Sequence, residues 1–223
     1  MLDTVVFVDA KAVSFFTDSM VLAKIHAEQD TLPARKYHVM GYPTTLLLDK
    51  AGNEVDRLVG YAPPEEFLKT LVDYTRGIGT LGDLLRQADT ATDRELFYQI
   101  GDKYKYRGES EKAETWFARV IESGEPVDSL SGEARLAVAD LYRRAKDYPK
   151  ALDAYRKISE EFTASYHGQD AVIYQAIVYR AMGDTLQAIA QFETYLQKFP
   201  ESSDAEYARE QIAKLKNSGQ TTQ

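Results

Sequence analysis

The sequence predicts two regions of different fold class: a small α/β region in the first 77 residues, followed by an all-α array of repeated helix pairs. Two observations support this prediction. A motif recurs three times between residues 93 and 200, and a strand–turn–strand pattern lies between residues 39 and 61. At 223 residues the chain is long enough for two modest domains of roughly 100–150 residues each.

Composition excludes several classes of function. The net charge of −8 argues against a nucleic-acid partner, because phosphate backbones are bound by basic surfaces. The longest apolar run, around residues 45–48, is too short to cross a bilayer, so no transmembrane segment is expected. The absence of cysteine removes disulfides, thiolate nucleophiles and thiolate metal ligands. His26, His38 and His167 have no ligand spacing, so neither a metal site nor a cofactor is expected.

An internal repeat dominates the second region. Three columns of residues recur with the same two spacings, 38 and then 37 residues. The columns are Tyr104, Tyr142 and Tyr179; Ala113, Ala151 and Ala188; and Phe117, Tyr155 and Phe192. The pattern predicts a helix, a tight turn and a second helix in each unit. The small alanine allows the paired helices to cross closely, and the aromatic residue one turn later fills the space beside it.

These columns resemble the tetratricopeptide repeat family, whose period is 34 residues. The extra residues fall in the turns between repeats, at 124–128 and 163–168. Residues 93–216 are therefore predicted to form three tetratricopeptide repeats with a capping helix that begins near Asp204. Residues 78–92 are expected to be a linker with a short helix, and residues 217–223 a disordered polar tail.

The first region contains a predicted β-hairpin. An apolar strand begins at Pro43, the chain turns at residues 50–53, and residues 54–61 return with rough alternation. A helix follows at Pro63 and Pro64, with carboxylates in its first turn. Upstream, residues 20–26 alternate as a strand does, and residues 32–39 form a short helix.

This order of elements, with the run Gly60-Tyr61-Ala62-Pro63-Pro64-Glu65-Glu66-Phe67, resembles the C-terminal half of thioredoxin-like domains of the bacterial thiol:disulfide interchange type. The resemblance covers about residues 1–76. It implies that Pro43, flanked by Tyr42 and Thr44, is the cis-proline that faces the redox motif of the family.

The chain departs from this family in lacking the Cys-x-x-Cys motif. Two readings stay open for residues 4–9. They resemble the stretch that follows the motif, which would place the central strand and both cysteines upstream of Met1. Alternatively, residues 4–9 form the central strand themselves, followed by a shortened helix without cysteines.

The resemblance to tetratricopeptide repeats also implies a concave peptide-binding groove formed by the first helix of each repeat. The residues that map onto its face are aromatic, aliphatic and charged, a mixture that suits an extended or helical peptide. They are Tyr98, Asp102, Lys105, Tyr106, Leu136, Asp140, Arg143, Arg144, Ile173, Ile177 and Arg180, with Glu95 at the start of the first helix. The asparagine and lysine set of the carboxylate-clamp subgroup is absent, which argues against C-terminal carboxylates as ligands.

Two functions from different classes remain open on the sequence. One is a non-catalytic scaffold that binds a protein or peptide partner through the repeat groove. The alternative is the C-terminal part of a bacterial envelope thiol:disulfide oxidoreductase whose Cys-x-x-Cys lies upstream of Met1. The second function would place the protein in the periplasm or envelope. No signal peptide is visible in the sequence, so a cytoplasmic location is the other possibility.

Overall fold

The computed structural model describes residues 2–163 and 165–220. The chain divides into two compact units, Met1–Ala113 and Glu114–Gln223. The first unit begins with a π-helical turn at Leu2–Val6. It continues with helices α1 (Ala10–Ser19) and α2 (Thr31–Lys36), strands β1 (Thr44–Leu48) and β2 (Glu54–Val59), and helices α3 (Pro64–Thr75), α4 (Leu81–Ala88) and α5 (Arg94–Tyr106). Helix α6 (Ser110–Glu122) begins in this unit.

The core of the first unit lies where the N-terminal turn, α1 and α3 meet. Phe16 of α1 and Phe67 of α3 are buried, and their ring centroids are 6.5 Å apart. Phe7 contacts both rings edge-on, at 5.8 and 6.1 Å. Leu58 of β2 packs against the same cluster. The aromatic and aliphatic side chains of α1 and α3 therefore form one core, and Leu58 joins the β-hairpin to it.

The predicted hairpin is confirmed. Strand β1 pairs antiparallel with β2, from Thr44 opposite Val59 to Leu47 opposite Asp56, with an irregularity before Leu48. Gly52 has a φ of +80°, a conformation that glycine adopts without the steric cost of a side chain.

The proposal of a central strand at residues 4–9 is wrong. The chain is helical up to Val6, and the Asp9 carboxylate accepts hydrogen bonds from the backbone N–H groups of Lys11 and Ala12, each at 3.0 Å. Asp9 is thus the N-cap of α1, a position that aspartate favours. The strand predicted at residues 20–26 is also wrong, because this segment forms neither helix nor strand. A strand needs a paired neighbour, and the described residues supply none for this segment.

A buried polar network joins β2 to α4 and α5. Asp56 is fully buried, and its carboxylate accepts hydrogen bonds from the Leu81 backbone N–H at 2.6 Å, Lys103 Nζ at 3.0 Å and Arg107 Nη2 at 2.9 Å. Lys103 and Arg107 belong to the region in which the sequence predicts a separate repeat domain. The first compact unit accordingly extends to Ala113 and includes α4 and α5, beyond the boundary that the sequence predicts at residue 77.

The described residues of the second unit form two complete helix pairs and a final helix. Its helices after α6 are α7 (Ser129–Arg144), α8 (Tyr148–Glu161), α9 (Tyr166–Met182), α10 (Thr185–Lys198) and α11 (Ala205–Gln220). The repeat alanines and aromatics Ala151, Tyr155, Ala188 and Phe192 are fully buried, as their columns predict. The last helix continues to Gln220, four residues into the predicted tail, and the rest of that tail, residues 221–223, lies outside the described residues.

In each helix pair, the turn between the two helices contains one residue with a left-handed backbone conformation, and this residue lies at an equivalent position in all three pairs. Gly108, Lys146 and Gly183 have φ values of +74°, +60° and +78°. Their spacings of 38 and 37 residues repeat those of the three columns. Lysine in the middle turn adopts a conformation that glycine takes more readily, because its Cβ crowds the backbone there.

Near the start of α9, two glycines allow neighbouring atoms to lie close to the backbone, where a Cβ would collide with them. A Cβ added to Gly168 would lie 2.3 Å from the Phe162 carbonyl oxygen, and one added to Gly132 would lie 2.7 Å from the His167 ring. His167 is buried between Phe162 and Tyr166, with ring centroids at 5.4 and 3.9 Å. Burial lowers the pKa of His167, so its role is that of a neutral packing residue.

Candidate functional site

A cavity of about 380 Å³ in the first unit brings together the hairpin and the outer face of α5. The residues that line it from α5 include three of the predicted groove residues, Tyr98, Asp102 and Tyr106, together with Glu95. The opposite wall comes from Leu58 and Val59 of β2 and from Tyr74 of α3; Arg57, Gly79, Gln99 and Lys103 complete the lining. Aromatic and aliphatic side chains with a few polar groups are the usual composition of a binding cavity.

The charged groups of the cavity wall are largely engaged in pairs. Lys103 Nζ lies 3.0 Å from Asp56 Oδ2 and also 3.0 Å from the Tyr74 hydroxyl. Asp102 pairs with Lys105 at 2.5 Å. The wall therefore presents little uncompensated charge to an occupant, apart from the exposed Glu95.

Arg57 is anchored from several directions. It forms an ion pair with Glu54 and donates hydrogen bonds to the backbone carbonyl groups of Tyr37 at 2.7 Å and Tyr106 at 2.6 Å. It is 6% exposed. Because Tyr106 ends α5, the guanidinium fixes the end of this helix against the hairpin and so holds the two walls of the cavity together.

The remaining α5 candidate, Lys105, does not line the cavity. Its Nζ pairs with Asp102 and lies 4.5 Å from the centroid of the Tyr106 ring. Lys105 thus holds the two lining side chains in place from the side. A cation over an aromatic face at this distance is attractive.

In the second unit, the candidates on α7 form an ion cluster. Asp140 forms salt bridges with both Arg143 and Arg144, the latter at 2.5 Å. The Arg143 guanidinium also lies 6.0 Å from the ring of Tyr174, which stacks on the buried Tyr155 at 5.4 Å. Arg143 is therefore partly committed to structural contacts. Leu136, the fourth candidate on this helix, is half-buried and packs against the cluster that contains Tyr155.

The candidates on α9 are less available than the sequence predicts. Ile173 is 5% exposed and belongs to the core cluster of Phe192 and Tyr195, so little of its side chain is accessible to a ligand. Ile177 is half-buried against the same cluster. Arg180 donates hydrogen bonds to the Gln211 side chain and, at 3.2 Å, to the Tyr207 hydroxyl. These three residues hold α11 and the repeat core in place.

The loop before β1 has the geometry that the resemblance implies. The Tyr42–Pro43 peptide bond is cis. The hydroxyl of Thr44 donates a hydrogen bond to the Gly41 carbonyl oxygen at 2.7 Å, and the Tyr42 side chain is 68% exposed. A shallow cavity beside this loop is lined by α2 residues and by His38, Val39 and Met40. Among the described residues, no three histidine, aspartate or glutamate side chains are grouped as metal ligands would be.

Several residues at the cavity are missing from the sequence-based prediction. Leu58, Val59 and Tyr74 come from the first region, whereas the prediction considers only the repeats. The consecutive charges Asp56 and Arg57, in the middle of an otherwise alternating strand, were a usable signal. Charged side chains inside a small hairpin are expected to pair with a neighbouring element if they are buried.

Comparison with protein-family models matches residues 4–75 to a thioredoxin-like domain. Residues 98–165 and 170–202 match tetratricopeptide repeats. The chain is a thioredoxin-like domain joined to tetratricopeptide repeats. A search of curated proteins finds no significant match.

Both matches fit the observed secondary structure. The thioredoxin-like domain spans the two-stranded sheet with α1 to α3, and the tetratricopeptide repeats span the helix pairs that follow. Tetratricopeptide repeats imply protein partners, so the combination supports a protein-interaction role in general terms. No helix among the described residues has the length and apolar character that crossing a membrane requires.

Proposed function

We propose that this protein is a non-catalytic interaction scaffold that holds a peptide segment of a partner protein in the cavity between β2 and α5. The observation that carries this proposal is the lining itself. Tyr98 and Tyr106 of the first repeat face Leu58 and Val59 of the thioredoxin-like domain across a space of about 380 Å³. Such a volume accommodates one or two side chains of an extended peptide, and tyrosine is enriched at the energetic centres of interfaces.

The pairing of the charged groups favours a neutral occupant. Lys103 and Arg57 are held by Asp56 and Glu54, and Asp102 is held by Lys105. An acidic side chain entering the cavity would lose hydration without gaining an unpaired cation. A basic side chain would meet only Glu95, and because this carboxylate is exposed to solvent its attraction for a cation is weak. An aliphatic or aromatic side chain avoids that cost, while the Gln99 amide at the rim can bond the peptide backbone.

Peptide binding is tested with five-residue probes, acetyl-Gly-Gly-X-Gly-Gly-amide, in which X is Leu, Phe, Lys or Glu. The Leu and Phe probes are expected to shift the backbone amide resonances of Tyr98, Gln99 and Asp102 more strongly than the Lys and Glu probes. Tyr98→Ala should weaken binding of the Leu probe by about tenfold or more, because an aromatic contact of the cavity is lost.

The matched control is Tyr61→Ala, which removes a 40% exposed tyrosine of the same unit that does not line the cavity. It should leave the binding unchanged. Both variants should keep their circular dichroism spectra. Equal shifts with all four probes, or loss of binding in the control as well, would contradict a cavity that selects apolar side chains.

The non-catalytic part of the proposal rests on the absence of cysteine. Thiol–disulfide exchange requires a thiolate that attacks a disulfide sulfur, and no other side chain of this chain replaces it. In an insulin-reduction assay with dithiothreitol, turbidity is expected to develop at the rate of the protein-free reaction. A thioredoxin that contains Cys-x-x-Cys, assayed in parallel, supplies the positive control, and protein-dependent acceleration would rule out the scaffold assignment.

A further inference from the structure

His167 is a buried titratable residue at the place where three helices of the second unit meet. It lies in the first turn of α9, and its ring is so close to Gly132 of α7 that a Cβ there would collide with it. Phe162, at the end of α8, and Tyr166 contact the ring from other sides, and only 2% of the residue is exposed. The imidazole therefore fills the space between α7 and the start of α9.

One nitrogen of this imidazole has a hydrogen-bond partner and the other has none. Nδ1 lies 3.2 Å from the Ser165 hydroxyl oxygen, and this hydroxyl donates its hydrogen to the Phe162 carbonyl oxygen, also at 3.2 Å. Nδ1 accordingly carries the hydrogen of the neutral ring. Nε2 is buried and has no hydrogen-bond partner among the described residues. A proton added to Nε2 would place a positive charge in a buried site without an acceptor, which is costly.

The groups on α7 that face the ring do not remove this cost. Burial lowers the pKa of His167, although the Glu133 carboxylate and the Ser129 backbone favour its charged form. The Glu133 carboxylate is also engaged by the Tyr166 hydroxyl, which donates to it at 2.8 Å. The imidazole is consequently neutral at about pH 7.

The other charged groups near this junction belong to an ion pair and to α9. Glu161 of α8 pairs with Arg135 of α7, whose guanidinium lies 5.8 Å from the Phe162 ring. Asp170 follows three residues later on α9, and burial raises its pKa. Glu133 is therefore the anion that acts on the imidazole, and burial outweighs it.

We propose that protonation of His167 in mild acid releases the start of α9 from α7. The charged ring leaves its buried site for water, and the close contact with Gly132 is lost. The unfolded chain binds the proton at the ordinary histidine pKa of about 6.5, so the stability of this unit is complete above that pH and is lost as the pH falls through the lower pKa of the folded state. Because α7 and α9 both carry candidate groove residues, their separation also changes the surface that a partner meets.

Urea unfolding of the full chain at about pH 7.5 and about pH 5.5, on either side of the ordinary histidine pKa, tests the proposal. The folding equilibrium constant of the second unit should fall severalfold, and at most by about tenfold, because the unfolded chain binds the proton more readily than the folded chain does. His167→Asn keeps a side-chain N–H for Ser165 but does not titrate, so it should remove this fall. Comparing the two proteins cancels the contribution of other acids such as Asp170. His26→Asn, at an exposed histidine, is the matched control and should keep the wild-type dependence.

Proton NMR of the wild-type chain follows the ring directly, whether or not the variant folds. The Overhauser effect between the His167 ring and the Gly132 Hα protons should be present at neutral pH and disappear as the ring titrates. Glu133→Gln should lower the pKa of His167 further, because it removes the anion that favours the charged ring. An Overhauser effect that persists after the ring is protonated would overturn the proposal. So would a pH dependence of stability that His167→Asn leaves unchanged.

Discussion

Replacing Asp56 with alanine is expected to lower the free energy of unfolding of the first unit by about 3–5 kcal/mol. The carboxylate is fully buried and accepts hydrogen bonds from the Leu81 backbone N–H and from Lys103 and Arg107. Its loss leaves the Leu81 backbone N–H without this acceptor, and it leaves the largely buried Lys103 without its carboxylate, with the Tyr74 hydroxyl at 3.0 Å as a neutral partner. Arg107 keeps Glu54 as a second partner at 3.2 Å, so Lys103 is the cation most affected.

Urea unfolding followed by circular dichroism measures this effect. The matched control, Asp73→Ala, removes a carboxylate that pairs with the exposed Lys69 at 2.9 Å, and a change of about 0–1 kcal/mol is expected there. A double variant, Asp56→Leu with Lys103→Met, should lose less stability than Asp56→Ala, since it leaves no unpaired lysine. If Asp56→Ala behaves like the Asp73 control, Lys103 reaches solvent and the network does not hold α5 to the hairpin.

Replacing Gly168 with alanine is expected to destabilise the second unit by about 3 kcal/mol, at the upper end of the usual range for overpacking. The new Cβ would lie 2.3 Å from the Phe162 carbonyl oxygen and 2.9 Å from its carbonyl carbon. Both are backbone atoms, so the clash can be relieved only if α9 moves relative to the end of α8. Thermal unfolding of the variant should show a lower midpoint for this unit.

Two further variants separate the clash from the general effect of adding a methyl group to a helix. Gly82→Ala in α4 has its nearest neighbour at 3.9 Å, the end of the Arg86 side chain, and should stabilise the protein by up to about 1 kcal/mol. Gly132→Ala clashes with the His167 side chain, so combining it with His167→Ala should relieve that contact. An unchanged unfolding midpoint in Gly168→Ala would mean that α8 and α9 are not packed as closely as described.

The structural contacts of two candidate groove residues, Arg143 and Arg180, change the expected result of replacing them. If Tyr98, Arg143 and Arg180 only lined a groove, replacing all three with alanine would weaken partner binding and leave thermal stability nearly unchanged. Arg143 pairs with Asp140, and Arg180 donates to α11, so the triple variant would also lose structural contacts. Tyr98→Ala alone is therefore the informative change at the cavity.

The sequence by itself determined the features that depend on local pattern. Columns such as Ala151 and Tyr155 recur at fixed spacing because every repeat makes the same helix crossing, so their burial follows from periodicity. The hairpin follows from an apolar strand, a turn with Gly52 and a returning strand. The lack of thiol chemistry follows from composition alone.

Only the tertiary structure decided the features that depend on residues far apart in the chain. Asp56 is buried because Lys103 of α5 and Arg107, which directly follows α5, pair with it from about 50 residues later in the chain. Ile173 has the helical position of a groove residue, yet α10 covers it. Residues 20–26 have the alternation of a strand and do not become one, because strand formation requires hydrogen bonds to a neighbour that local pattern cannot supply.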